Sequence, residues 1–371
     1  MAPRRPLSKK SLAFLCVFGA FLGWSNYSAV LTRILHPGER YPASNSLLGK
    51  QKYEGFDAAS ASRDGLALAA GSQISQRGKS FTATVSVIDR PSGKRRWQTK
   101  LNTPPHFRSV NVLLWTPDDQ QVVANDTDGY VTVLDARSGQ ILKQLQVHTY
   151  RPCVFGFANG GLLLTEKDIQ TGPTFLALRS WPDLTPVWRV PLDCWDAATG
   201  NTDASGTLAP VALEDGRSVG VVDLRTRALR GGIITVPGNT DDQTGRYSLY
   251  SLSIRPDGRQ VAGGLGNGTV MVWDVLTGKV RWKFRPHGGL VRALSWNDSG
   301  DALASSAFGG CGLLRSECVV VTRLSGASPK SRVVWHHRFN AVSDPIWLKR
   351  SALMLTETSA VFTVPTGLSD P

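Results

Sequence analysis

A strand-and-turn motif that recurs every 40–51 residues constrains this chain more than any other feature. Each copy is a short apolar run, mostly β-branched, that ends in an acidic residue, and three of the four best copies then reach Ser-Gly or Thr-Gly. Apolar runs of this length, broken by turn formers, predict buried strands. The best copies end at Asp89, Asp135, Asp223 and Asp274, and weaker ones end at Arg179, Arg323 and Thr363.

Two further signals recur with the same period. Polar pairs typical of hairpins, such as Asp64-Gly65 and Asp257-Gly258, precede each of the seven strand ends. A histidine stands nine or ten residues before an aromatic residue in four units, at His106, His148, His287 and His337. Units of this length with about four short strands each predict an all-β propeller, whose sheets stack around an axis.

The predicted fold is a seven-bladed β-propeller over 51–371. Six or eight blades stay open because the units around 170–230 are poor. The chain ends only eight residues after Thr363, which leaves no room for a fourth strand in the last blade. Residues between about Ser46 and Phe56 are therefore expected to complete it, so 37–50 is predicted to be a linker with a closing strand.

The N-terminal segment 1–36 is predicted to be an export or anchoring segment. A basic start is followed by 22 uncharged positions, 11–32. A helix of that length spans roughly 33 Å, enough for the hydrocarbon core of a bilayer. The stretch 23–29 offers no clean cleavage site, which favours an uncleaved signal anchor with the propeller outside the cytoplasm. A cleaved signal peptide remains the alternative and gives a secreted or periplasmic protein.

The charge balance argues against nucleic acid as a partner. Lys and Arg number 42 and Asp and Glu 29, a net charge of +13. Residues 1–50 carry seven basic residues and one acidic residue, or +6, so the other 321 residues hold a mild +7. Basic clusters at 94–100 and 225–230 are expected to be solvated, with an anionic partner or lipid head groups as the alternative.

One unit resembles a WD repeat. The run Ile254-Arg255-Pro256-Asp257-Gly258 leads to Val272-Trp273-Asp274, and His287-Gly288 stands where that family keeps a Gly-His pair, in reversed order. Most other units lack Trp at the place of Trp273. The resemblance implies a non-catalytic scaffold that docks a protein or peptide on a propeller face.

A second resemblance is to quinoprotein propellers with tryptophan-docking motifs. It rests on 89–97 and 274–282, which end in Trp97 and Trp282, with Trp188 at the next such position. The resemblance implies that each indole packs on the neighbouring blade. The alternatives to a scaffold are therefore a quinoprotein-like oxidoreductase, a propeller hydrolase or an envelope-assembly type propeller.

No catalytic, cofactor-binding or metal-binding residues are predicted, and no cofactor. The recurring aspartates and histidines fall once per blade, so we interpret them as structural, with each aspartate capping its own turn. Cys311 and Cys318 flank one loop and are predicted to form a disulfide outside the cytoplasm. Whether Cys153 and Cys194 pair between adjacent blades stays open.

Overall fold

The computed structural model describes most of the chain from residue 45 onward. The described residues are 45–46, 54–76, 80–101, 109–149, 151–169, 171–195, 198, 200–213, 215–237, 245–311, 316–324, 328–337, 345–349, 352–357 and 360–368. Two units, Met1–Pro42 and Ala43–Pro371, divide the chain, and all described residues belong to the second. The predicted membrane segment lies outside the described residues, within which no helix is long and apolar enough to span a membrane.

The described secondary structure consists of β-strands joined by turns. In chain order the strands are β1 Asn45–Ser46, β2 Glu54–Ala61, β3 Ala67–Gln76, β4 Ser80–Asp89, β5 Arg95–Lys100, β6 Val110–Trp115, β7 Gln121–Asp126, β8 Tyr130–Asp135, β9 Ile141–Gln146, β10 Phe155–Ala158, β11 Gly161–Lys167, β12 Thr174–Ser180, β13 Pro186–Pro191, β14 Leu208–Ala212, β15 Ser218–Asp223, β16 Ala228–Leu229, β17 Ile234–Thr235, β18 Leu249–Ile254, β19 Gln260–Leu265, β20 Val270–Asp274, β21 Val280–Phe284, β22 Leu290–Trp296, β23 Ala302–Cys311, β24 Ser316–Arg323, β25 Lys330–His337, β26 Ile346–Lys349, β27 Ala352–Glu357 and β28 Ala360–Pro365.

Most of these strands form four-stranded antiparallel sheets in which neighbours in sequence are neighbours in space. The sheets are β2–β5, β6–β9, β10–β13, β18–β21 and β22–β25. In each sheet most of the buried residues lie on the second and third strands, whereas the fourth strand is largely exposed or half-buried. The first strand is therefore the inner edge of a propeller blade and the fourth is its outer edge.

The last blade is closed by the start of the described chain. Strands β26, β27 and β28 form three of its positions, and β1 supplies the fourth, with Asn45 opposite Thr363 and Ser46 opposite Phe362. The sequence places the closing strand between about Ser46 and Phe56. In the structure Glu54–Ala61 is instead the inner strand of the first blade, and among the described residues before it the two of β1 complete the last one.

One sheet departs from this layout, and it corrects the predicted blade count. In the sheet of β14 and β15, the outer position is split between β16 and β17, which both pair with β15. Where an inner strand would lie, the described residues of 194–203 make isolated bridges, Cys194 with Leu213 and Gly200 with Val154. In that segment, residues that favour turns stand in place of the alternating apolar and polar residues that a strand needs. The sequence predicts seven blades, whereas the propeller has six regular blades and the remaining unit is this irregular sheet, between the third and fourth.

The hydrophobic core is distributed over the boundaries between sheets. Val85 and Val87 of the first blade belong to one buried cluster with Leu113 and Leu134 of the second. A fully buried aliphatic side chain contributes about 1.5–3 kcal/mol. Each sheet therefore depends on its neighbour to cover its apolar face, which is why a closed ring is required.

Tryptophan side chains add hydrogen bonds across the same boundaries. From an inner strand, the indole N–H donates to a backbone carbonyl on the inner strand of the preceding sheet. The bonds are Trp115 to Ser60 at 2.8 Å, Trp296 to Ser253 at 3.2 Å and Trp347 to Ser295 at 2.9 Å. These are the aromatic positions that follow the recurring histidines, so that sequence signal reports how the blades are joined.

We predict that a disulfide across the closing pair will stabilise the ring. Asn45→Cys together with Thr363→Cys places two cysteines directly opposite each other on β1 and β28. The bond would close a loop that runs from residue 45 to residue 363. Closing so long a loop should raise the free energy of unfolding by roughly 4–6 kcal/mol, less any strain. Thermal melting of the oxidised double variant and of the Asn45→Cys single variant measures the gain. Two thiols that remain reactive in the folded double variant would contradict the pairing.

We also predict that the indole hydrogen bonds contribute measurably to stability. Trp115→Phe keeps most of the ring but removes the donor to the Ser60 carbonyl. Trp282→Phe is the control, because that half-buried indole has no acceptor among the described residues. Urea denaturation should show a loss about 1 kcal/mol larger for Trp115→Phe. Equal losses for the two variants would show that the bond contributes nothing.

Candidate functional site

The recurring aspartates hold the turns between the third and fourth strands. Asp135 accepts hydrogen bonds from the backbone N–H and the hydroxyl of Ser138, both at 2.7 Å. The hydroxyls of Ser92 and Thr277 bond Asp89 and Asp274 in the same way, and Asp223 accepts two backbone N–H groups. The Ser138 hydroxyl and backbone donors hold the pKa of Asp135 below its usual value. These carboxylates lie one per sheet and are not brought together.

The turns between the first and second strands are held by the same chemistry. Asp64 accepts from the Ser62 hydroxyl at 2.6 Å, and Asp118 accepts from the Thr116 hydroxyl at 2.6 Å. In each case the carboxylate also accepts a backbone N–H two residues further along. In the irregular sheet Asp203 accepts the N–H groups of two residues. These contacts fix the conformations of the turns locally.

Contacts between neighbouring sheets tie these turns to one another. The Arg63 N–H donates to the Asp119 carboxylate at 2.9 Å, and Arg255 Nε donates to the Gly300 carbonyl at 2.8 Å. Both sets of turns lie at the same end of the strands, and we call this surface the turn face. It is a ring of short loops held in place by their own side chains and by their neighbours.

His287 belongs to a buried polar contact between strands. Its Nε2 lies 2.8 Å from the Ser305 hydroxyl and its Nδ1 lies 3.1 Å from the Cys318 sulfur. Cys318 is disulfide-bonded, so its sulfur carries no proton and Nδ1–H must donate to it. Burial lowers the pKa of His287 to about 4, so the ring is neutral at pH 7. The Ser305 hydroxyl then donates to Nε2.

The other predicted residues do not converge on a site. His148 is half-buried and lies in the loop before the third blade, whereas Trp273 is fully buried in the core. His106 and the side chain of Cys311 lie outside the described residues. Among the residues that the structure describes, no group of three or more His, Cys, Asp or Glu is placed to hold a metal ion.

A disulfide that the sequence left open is formed. Cys153 and Cys194 are bonded, with their Cα atoms 6.3 Å apart. The bond joins the start of the third blade to the segment that replaces the inner strand of the irregular sheet. Beside it the Gly200 N–H donates to the Cys153 carbonyl at 2.7 Å, and the Phe155 N–H donates to the Gly200 carbonyl at 3.3 Å. The two cysteines stand at different positions within their repeat units because the segment that carries Cys194 does not follow the repeat.

Comparisons with known proteins agree with this geometry. The model of the WD40 domain of anaphase-promoting complex subunit 4 matches residues 82–159, and the model of the WD domain, G-beta repeat, matches residues 238–274. The chain is a WD-repeat β-propeller. The crystal structure of the RRP9 WD40 repeats is similar to it with a TM-score of 0.66 and 11% sequence identity, over 88% of this chain and 99% of that one. At that identity the likeness shows the fold alone.

The WD-repeat propeller has an apolar groove on its outer wall, between the third blade and the irregular sheet. We call it the wall groove. It has a volume of about 500 Å³. Its lining comes from β12, β13 and the segment after them on one side, and from 213–233 on the other: Leu176, Val190, Pro191, Leu192, Asp193, Leu213, Asp215, Ser218, Val222, Arg227, Ala228, Leu229 and Ile233.

Sequence reasoning missed the wall groove because it forms between two sheets and follows from an irregularity in one of them. In the sequence, the apolar residues that line the groove look the same as ordinary buried strand residues. One signal was present in the sequence. Arg227 stands four residues after Asp223, where the turns after Asp89, Asp135 and Asp274 carry glycine.

We predict that His287 makes the stability of the propeller depend on pH. The unfolded chain binds a proton on this residue below about pH 6.5, whereas the folded chain stays neutral until about pH 4. The stabilisation that the folded protein gains from neutral His287 is therefore complete above pH 6.5 and is lost as the pH falls towards 4. Between those limits wild type should lose about 3 kcal/mol more than the His287→Gln variant.

Urea denaturation at a series of pH values measures this difference. His148→Gln serves as the control, because it makes the same substitution at a histidine that is only half-buried. Parallel stability curves for wild type and His287→Gln would show that His287 is not kept neutral by the fold.

Proposed function

We propose that this WD-repeat propeller is a non-catalytic scaffold that docks a partner protein on its turn face. The proposal depends on one observation: the turns of that face are held in fixed conformations by their own side chains. Turns such as those at Asp64, Asp118 and Asp135 use their own carboxylates to hold their shape. A loop that is already ordered loses little conformational entropy when a partner binds, so a preorganised face suits recognition.

The polar side chains of the face support the same function. The carboxylates that recur in the sequence are engaged with hydroxyl and backbone donors of their own turns. Such groups position loops for contact with a partner, and the residues between them, such as Arg137 and Leu276, are exposed. The family model that matches 82–159 describes a WD40 domain from a subunit of a multiprotein complex. That description applies to that protein and makes a scaffold the natural expectation here.

We further propose that the propeller works outside the cytoplasm, held by the N-terminal segment as a membrane anchor or exported by it. The uncharged stretch 11–32 supports this location. The Cys153–Cys194 disulfide supports it too, because such bonds persist in oxidising compartments.

Photocrosslinking of the full chain tests the scaffold. A photoreactive amino acid placed at Arg137 or Leu276, on the turn face, should give a discrete partner adduct that excess unlabelled protein suppresses. The same probe at Leu142, an exposed residue of the outer strand β9, should give none. Adducts from Leu142 but not from the turn face would reject docking on that face. Tightly bound metal or cofactor absorbance in the purified chain would favour the oxidoreductase instead.

A further inference from the structure

The wall groove exists because the irregular sheet cannot cover the blade beside it. Its outer strand is interrupted between β16 and β17, and Gly220 of β15 provides no side chain. A Cβ atom at Gly220 would lie 2.7 Å from a methyl carbon of Leu229, so that leucine packs over the bare backbone. Leu229 is still 42% exposed and Ile233 is 57% exposed. These two side chains present apolar surface to solvent along the groove.

Arg227 marks one end of the groove with an unusual backbone. Its φ is +61°, and its N–H donates to the Asp223 carbonyl at 2.7 Å. In the equivalent turns Gly139 and Gly278 make the same bond with φ of +75° and +66°. Left-handed backbone is costly for a residue with a Cβ atom, and such strain is found at functional positions. Glycine would therefore form this turn at a lower cost in conformational free energy.

The Arg227 side chain is placed to receive an anion. Its guanidinium carbon lies 5.4 Å from the centroid of the Trp188 ring, which belongs to the third blade. It has no carboxylate partner among the described residues. This cation–π contact with Trp188 keeps a positive charge beside the apolar residues of the groove, and a guanidinium placed there can bind a carboxylate.

The other end of the groove is acidic. Asp193 follows β13 and is exposed, with no ion-pair partner in the part of the chain that the structure describes. Asp215 lies in the turn between β14 and β15, where it accepts the backbone N–H groups of Arg217 and Ser218. The six residues of β15 separate the two ends, a length of roughly 17 Å at the rise of a strand.

We propose that the wall groove binds an extended segment of a partner protein, with two apolar side chains between an acidic residue and a basic residue. The acidic residue pairs with Arg227, the apolar side chains cover Leu229 and Ile233, and the basic residue pairs with Asp193 and Asp215. An extended chain places alternate side chains on one face, so six to seven residues span the groove. The inference rests on the proposed scaffold function, and the groove lies on the outer wall and meets the turn face only at the Asp223 turn, which carries Arg227.

A set of synthetic peptides tests the groove directly. The parent probe is a capped, fluorescein-labelled Glu-Ser-Leu-Ser-Leu-Ser-Lys, in which every second side chain faces the groove. The set replaces the two leucines by Ile, Val or Phe and includes the reversed sequences. A matched peptide carries Gln in place of Glu. Fluorescence anisotropy with the full chain measures each affinity.

The variants separate a binding role from a structural one. Leu229→Gln combined with Ile233→Gln should weaken the best peptide by about tenfold or more, because both side chains lose apolar contact. Leu142→Gln is the matched control: that leucine is 47% exposed on an outer strand of another blade, so affinity should be unchanged. Arg227→Gly should not lower the melting temperature, since glycine accepts this backbone, yet it should abolish the preference for Glu over Gln.

Two results would overturn the proposal. One is that no peptide of the set binds wild type at millimolar concentration. The other is that the Leu229→Gln, Ile233→Gln variant binds as well as the Leu142→Gln control. Neither result depends on the turn face, whose role is tested by crosslinking from Arg137 and Leu276. Peptide binding without turn-face adducts would support the groove while rejecting that face as the docking surface.

Discussion

The packing of each sheet against the next is the interaction on which the rest of this structure depends. A single blade leaves an apolar face uncovered, and Val85 and Val87 are buried in one cluster with Leu113 and Leu134 of the following blade. Indole hydrogen bonds such as that of Trp115 fix the spacing at the inner edge. The ring must also close, and the two residues of β1 complete the last sheet beside β28.

The irregular sheet shows what happens where that constraint is relaxed. The described residues of 194–203 form no inner strand, and the outer position is split between β16 and β17. The Cys153–Cys194 disulfide ties the segment to the third blade instead. The uncovered surface that remains is the wall groove. A departure from the repeat thus coincides with a groove that has apolar and charged lining residues.

The polar residues of the propeller divide into two roles. Those that recur, such as Asp135 and Asp274, are engaged in their own turns, and His287 is buried in a contact between strands. Those that break the pattern, such as Arg227 and Asp193, keep their charges at the surface beside exposed apolar side chains. Recurrence therefore identifies structural residues, and exceptions to it identify candidates for recognition.

The sequence by itself determined the β-propeller and the positions of its turns, because strands, turns and their capping aspartates are set by residues a few positions apart. Asp135 and Ser138 are three residues apart and need no distant partner. Only the tertiary structure decided that six blades are regular, that Cys153 meets Cys194 and that a groove opens beside Arg227. Each of these depends on how two sheets fit against each other, and that fit is set by side chains far apart in the chain.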